Sequence, residues 1–340
     1  MIRNLRILGN IEGVSYLLLL GVAMPLKYAF DLPLAVKVVG MAHGVLFLAY
    51  CALLVPCMSK YKWKIGFGFY LFVSTLIPFG TFVTDRKLKG LENAIDVSFV
   101  HWYMAEQGWT FNKDEEGIVG DHLFDLDFAH QLYTMADKNY TGRVTVPILW
   151  DKDQNTIVSN ESSEIIRMLN SAFDDIGANE GDYYPAHLQD EIDKINHRVY
   201  HTVNNGVYKA GFSTTRKAYE EAVYPLFETL NWLENRLGKT RFLHGNTPYE
   251  SDWRLFPTLY RFDSIYHSHF KCSIKRIVDY PNLWGYTRDL YQWPGIIQTV
   301  NMKHARNHYY ESHKTINPTR IVPILPAIDW DKPSSRDKNF

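Results

Sequence analysis

The run Gly142-Arg143-Val144-Thr145-Val146-Pro147-Ile148-Leu149-Trp150 is followed by the polar stretch Asp151-Lys152-Asp153-Gln154-Asn155, then by Thr156-Ile157-Val158 and Ser159-Asn160-Glu161-Ser162-Ser163-Glu164. Residues 143–150 read as a strand interrupted by Pro147, which has no N–H for a ladder. Residues 156–158 read as a second strand, and the polar stretch between them as a hairpin loop. Residues 159–169 read as a helix. Ser159, Asn160 or Ser162 can cap it, and Glu161 and Glu164 favour its first turn. Upstream, residues 94–102 read as a further strand carrying Val97, Phe99 and Val100. Strand, strand and helix after an upstream strand make the second half of a small α/β domain. Between these parts, residues 103–140 read as a long loop with a short helix near 128–135. Downstream, residues 185–313 have a helical pattern. Residues 317–340 carry Pro318, Pro323, Pro326 and Pro333, and so read as an extended tail.

The N-terminal quarter is a different material. Residues 1–84 contain only two acids, Glu12 and Asp31. Three apolar runs, 7–30, 34–58 and 65–83, each approach the ~20 residues that cross a bilayer core. Arg3 and Arg6, then Lys60, Lys62 and Lys64, then Arg86, Lys87 and Lys89 flank them. Tyr61 and Trp63 fall where an interfacial belt would lie. Three such runs in succession fit membrane spans better than buried helices of a soluble core or a cleaved signal. The flanking charges balance, so they set no orientation. Glu12 and His43 are ionisable groups inside spans, and are expected to hydrogen-bond to each other and fix helix packing. Over the whole chain of 340 residues the net charge is −1, which gives no electrostatic case for nucleic acid. The three cysteines, Cys51, Cys57 and Cys272, match no zinc or disulfide framework, and a reducing compartment follows.

From residue 86 to 332 the chain resembles the glutathionyl-hydroquinone reductases, the Xi class of glutathione transferases. The runs that carry this are Arg86-Lys87-Leu88-Lys89-Gly90-Leu91-Glu92, Gly108-Trp109-Thr110-Phe111, the 142–147 and 159–164 stretches quoted above, and residues 202–212, Thr-Val-Asn-Asn-Gly-Val-Tyr-Lys-Ala-Gly-Phe. They continue with Asp252-Trp253-Arg254-Leu255-Phe256, Arg261-Phe262-Asp263, His269-Phe270-Lys271-Cys272, Asp279-Tyr280-Pro281-Asn282-Leu283-Trp284 and Asn317-Pro318. The resemblance implies glutathione as co-substrate, a quinone-derived aromatic conjugate as substrate, no metal, and a homodimer. In the resembled family a thioredoxin-like domain presents Val146, before a cis proline, to the cysteinyl backbone of glutathione. Glu161 and Ser162, at a helix N-terminus, suit its γ-glutamyl group. Trp109, Arg143, Val144 and Thr145 are implied to line the same site. Tyr208 is implied to exchange a proton with the hydroquinone oxygen, and Tyr266 and Tyr309 to help stabilise a thiolate. A phenol suits both tasks.

The family's nucleophile belongs to a Cys-Pro-Trp-Ala motif, and this sequence contains no Cys-Pro at all. The third apolar run stands where that motif should lie. Cys57 follows Pro56 but has no helix N-terminus after it to lower its pKa. Cys51 lies mid-span, and Cys272 belongs to the helical domain. The i, i+4 pairs His197/His201 and His304/His308 lack a His-Glu-x-x-His pattern and read as solvated helix faces rather than zinc ligands.

Residues 5–88 also resemble a small bacterial family of three-span integral membrane proteins of unknown function. The similarity lies in Leu8-Gly9-Asn10-Ile11-Glu12-Gly13, Ala23-Met24-Pro25-Leu26-Lys27-Tyr28, Val39-Gly40-Met41-Ala42-His43-Gly44 and Leu76-Ile77-Pro78-Phe79-Gly80. The expected fold is therefore mainly α, in four parts. A three-helix transmembrane segment occupies 1–85. A truncated thioredoxin-like α/β half-domain lacking its first strand and helix occupies 86–184. An all-α glutathione-transferase C-terminal domain occupies 185–316, and a tail 317–340. The expected setting is the bacterial inner membrane with the soluble part in the cytoplasm. The expected activity is reductive deglutathionylation, impaired by the missing cysteine; the alternative is a non-catalytic, membrane-anchored glutathione-binding or interaction protein.

Overall fold

The computed structural model describes residues 1–60, 63, 65–77, 79, 81, 95–114, 120–174, 181–324 and 327–336. The chain divides into two compact units, Met1–Val97 with Ile166–Gly181, and Ser98–Ile165 with Asp182–Phe340.

In the first unit, α1 (Ile2–Leu18) runs through a π turn at Leu19–Ala23 into α2 (Met24–Phe30). Pro25 has no N–H to offer the preceding turn, and the π turn absorbs that loss. Asp31 ends the helix in the left-handed region at φ 52°. Pro33 then opens α3 (Pro33–Lys60), the first-turn position where its missing N–H costs nothing. The continuous helix Asn4–Phe30 and α3 are 27 and 28 residues long, ample for ~20 residues of span. Only 28% and 11% of their most apolar stretches are buried within the chain. Tyr50 is buried against Gly9, where a Cβ would sit 2.9 Å from its ring. Meanwhile Val38, Met41, Val45, Leu48 and Val55 face outward, and Glu12 is fully enclosed. That is the inverse of a water-soluble helix pair.

The third apolar run is described only in part. Within it α4 is Ile65–Ser74, 10 residues, about 15 Å of helix. The Ser74 and Thr75 hydroxyls donate to the Leu71 and Phe72 carbonyls at 2.6 and 2.7 Å and serve the chain end there. Residues 78, 80 and 82–94 lie outside the described residues. Glu12 and His43 differ from expectation: they approach only to 3.7 Å, too far for a hydrogen bond. Ser15 Oγ takes the place at His43, 3.1 Å from Nδ1, while donating to the Glu12 carbonyl.

The second unit has a small and a large core. In the small one, α5 (Ala129–Ala136) packs Ala129 and Leu132 with Phe111, Trp109, Val144, Ile148 and Trp150. Strands β1 (Leu149–Asp151) and β2 (Thr156–Ser159) pair antiparallel, Trp150 opposite Ile157. The Asp151 carboxylate accepts the N–H groups of Asp153 and Gln154 at 2.8 and 2.9 Å, and Asn155 turns at φ 53°. This is the hairpin the sequence calls for. Helix α6 follows at Ser162–Ser171, its residues up to Ile165 belonging to this unit.

Two strands read from the sequence do not form as such. Residues 95–102 are extended without a ladder, and Ala94 lies outside the described residues. Among the described residues of this segment, only His101 N–H reaches a backbone acceptor, Thr110 O, at 2.7 Å. Of 143–150, only Leu149 and Trp150 are strand. Before Pro147 the backbone bonds to side chains instead. Tyr133 Oη donates to Thr145 O at 2.9 Å and accepts its N–H at 3.2 Å, and Tyr140 donates to Arg143 O at 2.7 Å.

The large core is helical: α7 (Gln189–Val199), α8 (Gly206–Gly211), α9 (Arg216–Leu237), α10 (Glu250–Arg261), α11 (Pro281–Tyr291) and α12 (Met302–Ser312). In α9, Val223, Leu226, Phe227, Leu230, Leu233 and Leu237 are buried at helical spacing. Asp252 is wholly buried where α10 begins. It accepts from Leu243 N, Tyr249 N and Tyr286 Oη at 3.0, 2.9 and 2.8 Å, and burial still lifts its pKa to about 6.

Candidate active site

The residues expected to hold glutathione come together. The exposed segment Arg143–Thr145–Val146 is tied to the start of α6 by Asn160 Nδ2, which donates to Thr145 Oγ1 at 3.0 Å. Ser159 Oγ accepts from Glu161 N at 3.1 Å and donates to Glu164 at 2.8 Å, so of the three candidates Ser159 is the one whose hydroxyl ties the chain to the first turn of the helix. Glu161 and Ser162 are left exposed beside the helix N-terminus. The Val146–Pro147 bond is cis. Among the described residues, the Val146 N–H and C=O carry no hydrogen bond and stay open to a ligand's backbone. Val144 and Trp109 pack on the same small core beneath this edge.

The three tyrosines form a second cluster. Tyr208 is on α8, Tyr266 ends the π turn Phe262–Tyr266 that continues α10, and Tyr309 is on α12. Tyr309 Oη is hydrogen-bonded to Tyr208 Oη, and to Tyr266 Oη at 2.9 Å. Tyr208 is partly exposed, and the other two are buried. Burial raises Tyr266 and Tyr309 above the usual phenol range, so both are neutral hydroxyls near pH 7. Arg261 lies beside all three. Burial works against its charge, the Tyr266 hydroxyl hydrogen-bonds to it, and the guanidinium stays protonated.

Sequence reading missed three members of this neighbourhood. Arg261 was visible only as part of a matching run. His304 and His308, read as a solvated face, are half-buried instead. His304 Nε2 donates to Val100 O at 3.1 Å and His308 Nδ1 to Trp102 O at 2.7 Å. The carbonyls left without a ladder in 95–102 explain the difference. Burial depresses both histidines, His308 to about 4. His197 and His201 do lie on an exposed face.

No thiol joins the site from the second unit's own cysteine. Cys272 is fully buried in the helical core, and burial pushes it to about 12. Cys51 and Cys57 belong to the first unit.

Comparison with known proteins agrees with this assembly. Family models for the glutathione S-transferase N-terminal and C-terminal domains match residues 85–172 and 216–289. The chain is 56% identical over 273 residues to the glutathionyl-hydroquinone reductase YqjG of Escherichia coli K12, covering 80% of this chain and 83% of that one. The chain belongs to the glutathionyl-hydroquinone reductase family of glutathione transferases. A solved glutathione-bound structure of that E. coli homologue superposes with a TM-score of 0.72 at 58% identity, covering 75% of this chain and 83% of that one. The reductase-like part therefore has the expected glutathione-transferase fold, mostly helical with a short thioredoxin-like portion. Ahead of it, residues 2–89 match a domain of unknown function (DUF3817). An uncharacterized membrane protein of Bacillus subtilis, YdzA, is 46% identical over 88 residues, 26% of this chain and 92% of that one.

Proposed function

We propose that this reductase family member binds glutathione along Val146 and Glu161 but turns over glutathionyl-hydroquinones poorly or not at all. The carrying observation is the open Val146 peptide, joined through Thr145 and Asn160 to the α6 N-terminus. In this reading Val146 pairs with the cysteinyl backbone of glutathione. Glu161, Ser162 and the helix N-terminus take its γ-glutamyl end, and Trp109, Arg143, Val144 and Thr145 line the groove. Tyr208 gives or takes the proton of the hydroquinone oxygen. Tyr266 and Tyr309 hold it in place and donate towards sulfur.

The family reaction needs a cysteine thiolate to attack the sulfur of the glutathionyl conjugate. The sulfur–carbon bond breaks, the aromatic product takes a proton, and a second glutathione thiolate then cleaves the mixed disulfide. The first step has no nucleophile here, since the sequence has no Cys-Pro-Trp-Ala. That absence favours the second reading, a glutathione-binding protein without turnover. The outward apolar faces of α1–α3 and the likeness to a membrane protein support an integral location; the proposal further takes the soluble part to face the bacterial cytoplasm and the helical domain to form a homodimer.

The test uses full-length protein in detergent. Calorimetry should detect glutathione, and Glu161→Ala should weaken it. Assay with a glutathionyl-hydroquinone should give little turnover. Robust turnover that persists in a Cys51→Ser, Cys57→Ser, Cys272→Ser triple variant would sink the proposal of a thiol-dependent, impaired enzyme.

A further inference from the structure

Two adjacent side chains of α12 serve different parts of the site. Tyr309 sits at the centre of the three phenols. His308 lays its ring against the Trp109 indole, with centroids 4.7 Å apart and planes 26° from parallel. We infer that His308 is a positioning residue that holds the Trp109 indole at the glutathione edge and couples it, through α12, to the phenol cluster. The inference rests on the reading of Trp109 as a glutathione contact.

The argument is one of constraint. The Trp109 backbone is pinned, because its carbonyl accepts Ala129 N–H at 2.9 Å. The preceding Gly108 turns at φ 82°, a conformation suited to glycine. That fixes the Cα but leaves the indole free to rotate about its own torsions. The imidazole removes that freedom and cannot swing away itself. Its Nδ1–H is committed to Trp102 O, which sets both the ring plane and the tautomer. Ser312, one turn further along α12, donates to the same carbonyl at 3.2 Å and accepts Met104 N–H at 3.0 Å. The segment 102–104 that leads into the Trp109 turn is therefore fastened to the helix that carries Tyr309. A displacement of α12 moves the indole and the central phenol together.

A bland role is that His308 merely glues the 100–104 segment to α12. Two variants separate these roles. His308→Phe keeps a ring against the indole and loses the donor. His308→Asn keeps an N–H for Trp102 O and loses the ring. Each is made in full-length protein, with and without Trp109→Phe, so that the difference spectrum reports Trp109 alone. Positioning requires that His308→Asn opens Trp109 to acrylamide quenching and weakens glutathione roughly 3- to 10-fold, the worth of one aromatic pair. His308→Phe should leave both close to wild type while lowering the thermal transition. Unchanged Trp109 quenching in His308→Asn overturns the inference. So does equal loss of glutathione affinity in the two variants. If no protein binds glutathione, the functional reading fails, and the quenching result still decides the placement of Trp109.

Discussion

Tyr266 and Tyr309 lie 43 positions apart in the chain, yet their hydroxyls meet at 2.9 Å away from solvent, with Arg261 beside them. Burial raises both pKa values; Tyr266 lifts Tyr309 further, whereas the hydrogen bond from Tyr309 lowers Tyr266 without undoing the effect of burial. The pair thus stays protonated and can donate. Tyr309→Phe removes the shared hydroxyl and leaves the Tyr266 hydroxyl buried without that partner. A loss of ~1–3 kcal/mol is expected, the cost of an unsatisfied buried polar group. Urea unfolding of the full-length protein measures it. No change in midpoint would show that water satisfies Tyr266 equally well.

Gly211 lies against the ring that backs this cluster. A Cβ there would fall 2.2 Å from Phe270 Cδ1 and 2.3 Å from its Cγ. Phe270 in turn stacks on Tyr266, with centroids 5.6 Å apart. Gly211→Ala should therefore cost ~1–3 kcal/mol by overpacking and disturb the tyrosines. A lowered thermal midpoint with altered near-ultraviolet dichroism is the expected result, and an unchanged spectrum would count against it.

The Cys272 thiol should be inert in the folded protein. It is fully buried and its pKa is pushed up to about 12, so almost no thiolate exists at pH 8. Mass spectrometry after brief iodoacetamide treatment should find Cys272 unmodified until denaturant is added. Rapid labelling under native conditions would show that the core opens.

Acid should weaken the second unit in a defined window. His269, His308 and His313 are each held down to about 4 by burial, against 6.5 when unfolded. The unfolded chain then binds more protons, and stability falls as pH drops from about 6.5 towards 4. Asp252 acts in the opposite sense, since its pKa is raised to about 6 and the folded state gains relative stability between 6 and 3.8. Asp263, also raised by burial, acts with Asp252, while His244 and His304, also lowered by burial, act with the three histidines, so the net effect is loss. Chemical denaturation at pH 7 and pH 4.5 checks it, and equal stability at both would contradict the histidine assignment.

The sequence displayed much of this protein because many of its signals are local. Two apolar runs long enough to span a bilayer show as helices, and the stretch 142–164 shows as hairpin and capped helix. Both follow from properties of a few neighbouring residues. The strand read at 94–102 failed for the complementary reason. Its composition is that of a strand, but a ladder depends on what lies alongside, and here the neighbours are His304 and His308, 204 and 206 positions away from the residues they meet.

By itself, then, the sequence determined the family, the apolar first unit and the lack of a Cys-Pro-Trp-Ala nucleophile, since order and composition suffice for each. Only the tertiary structure decided that Tyr208, Tyr266 and Tyr309 share hydrogen bonds, that Arg261 joins them, and that His308 backs Trp109. Those contacts arise from packing α8, α10 and α12 around one helical core, and no spacing rule spanning a few turns of chain can anticipate them.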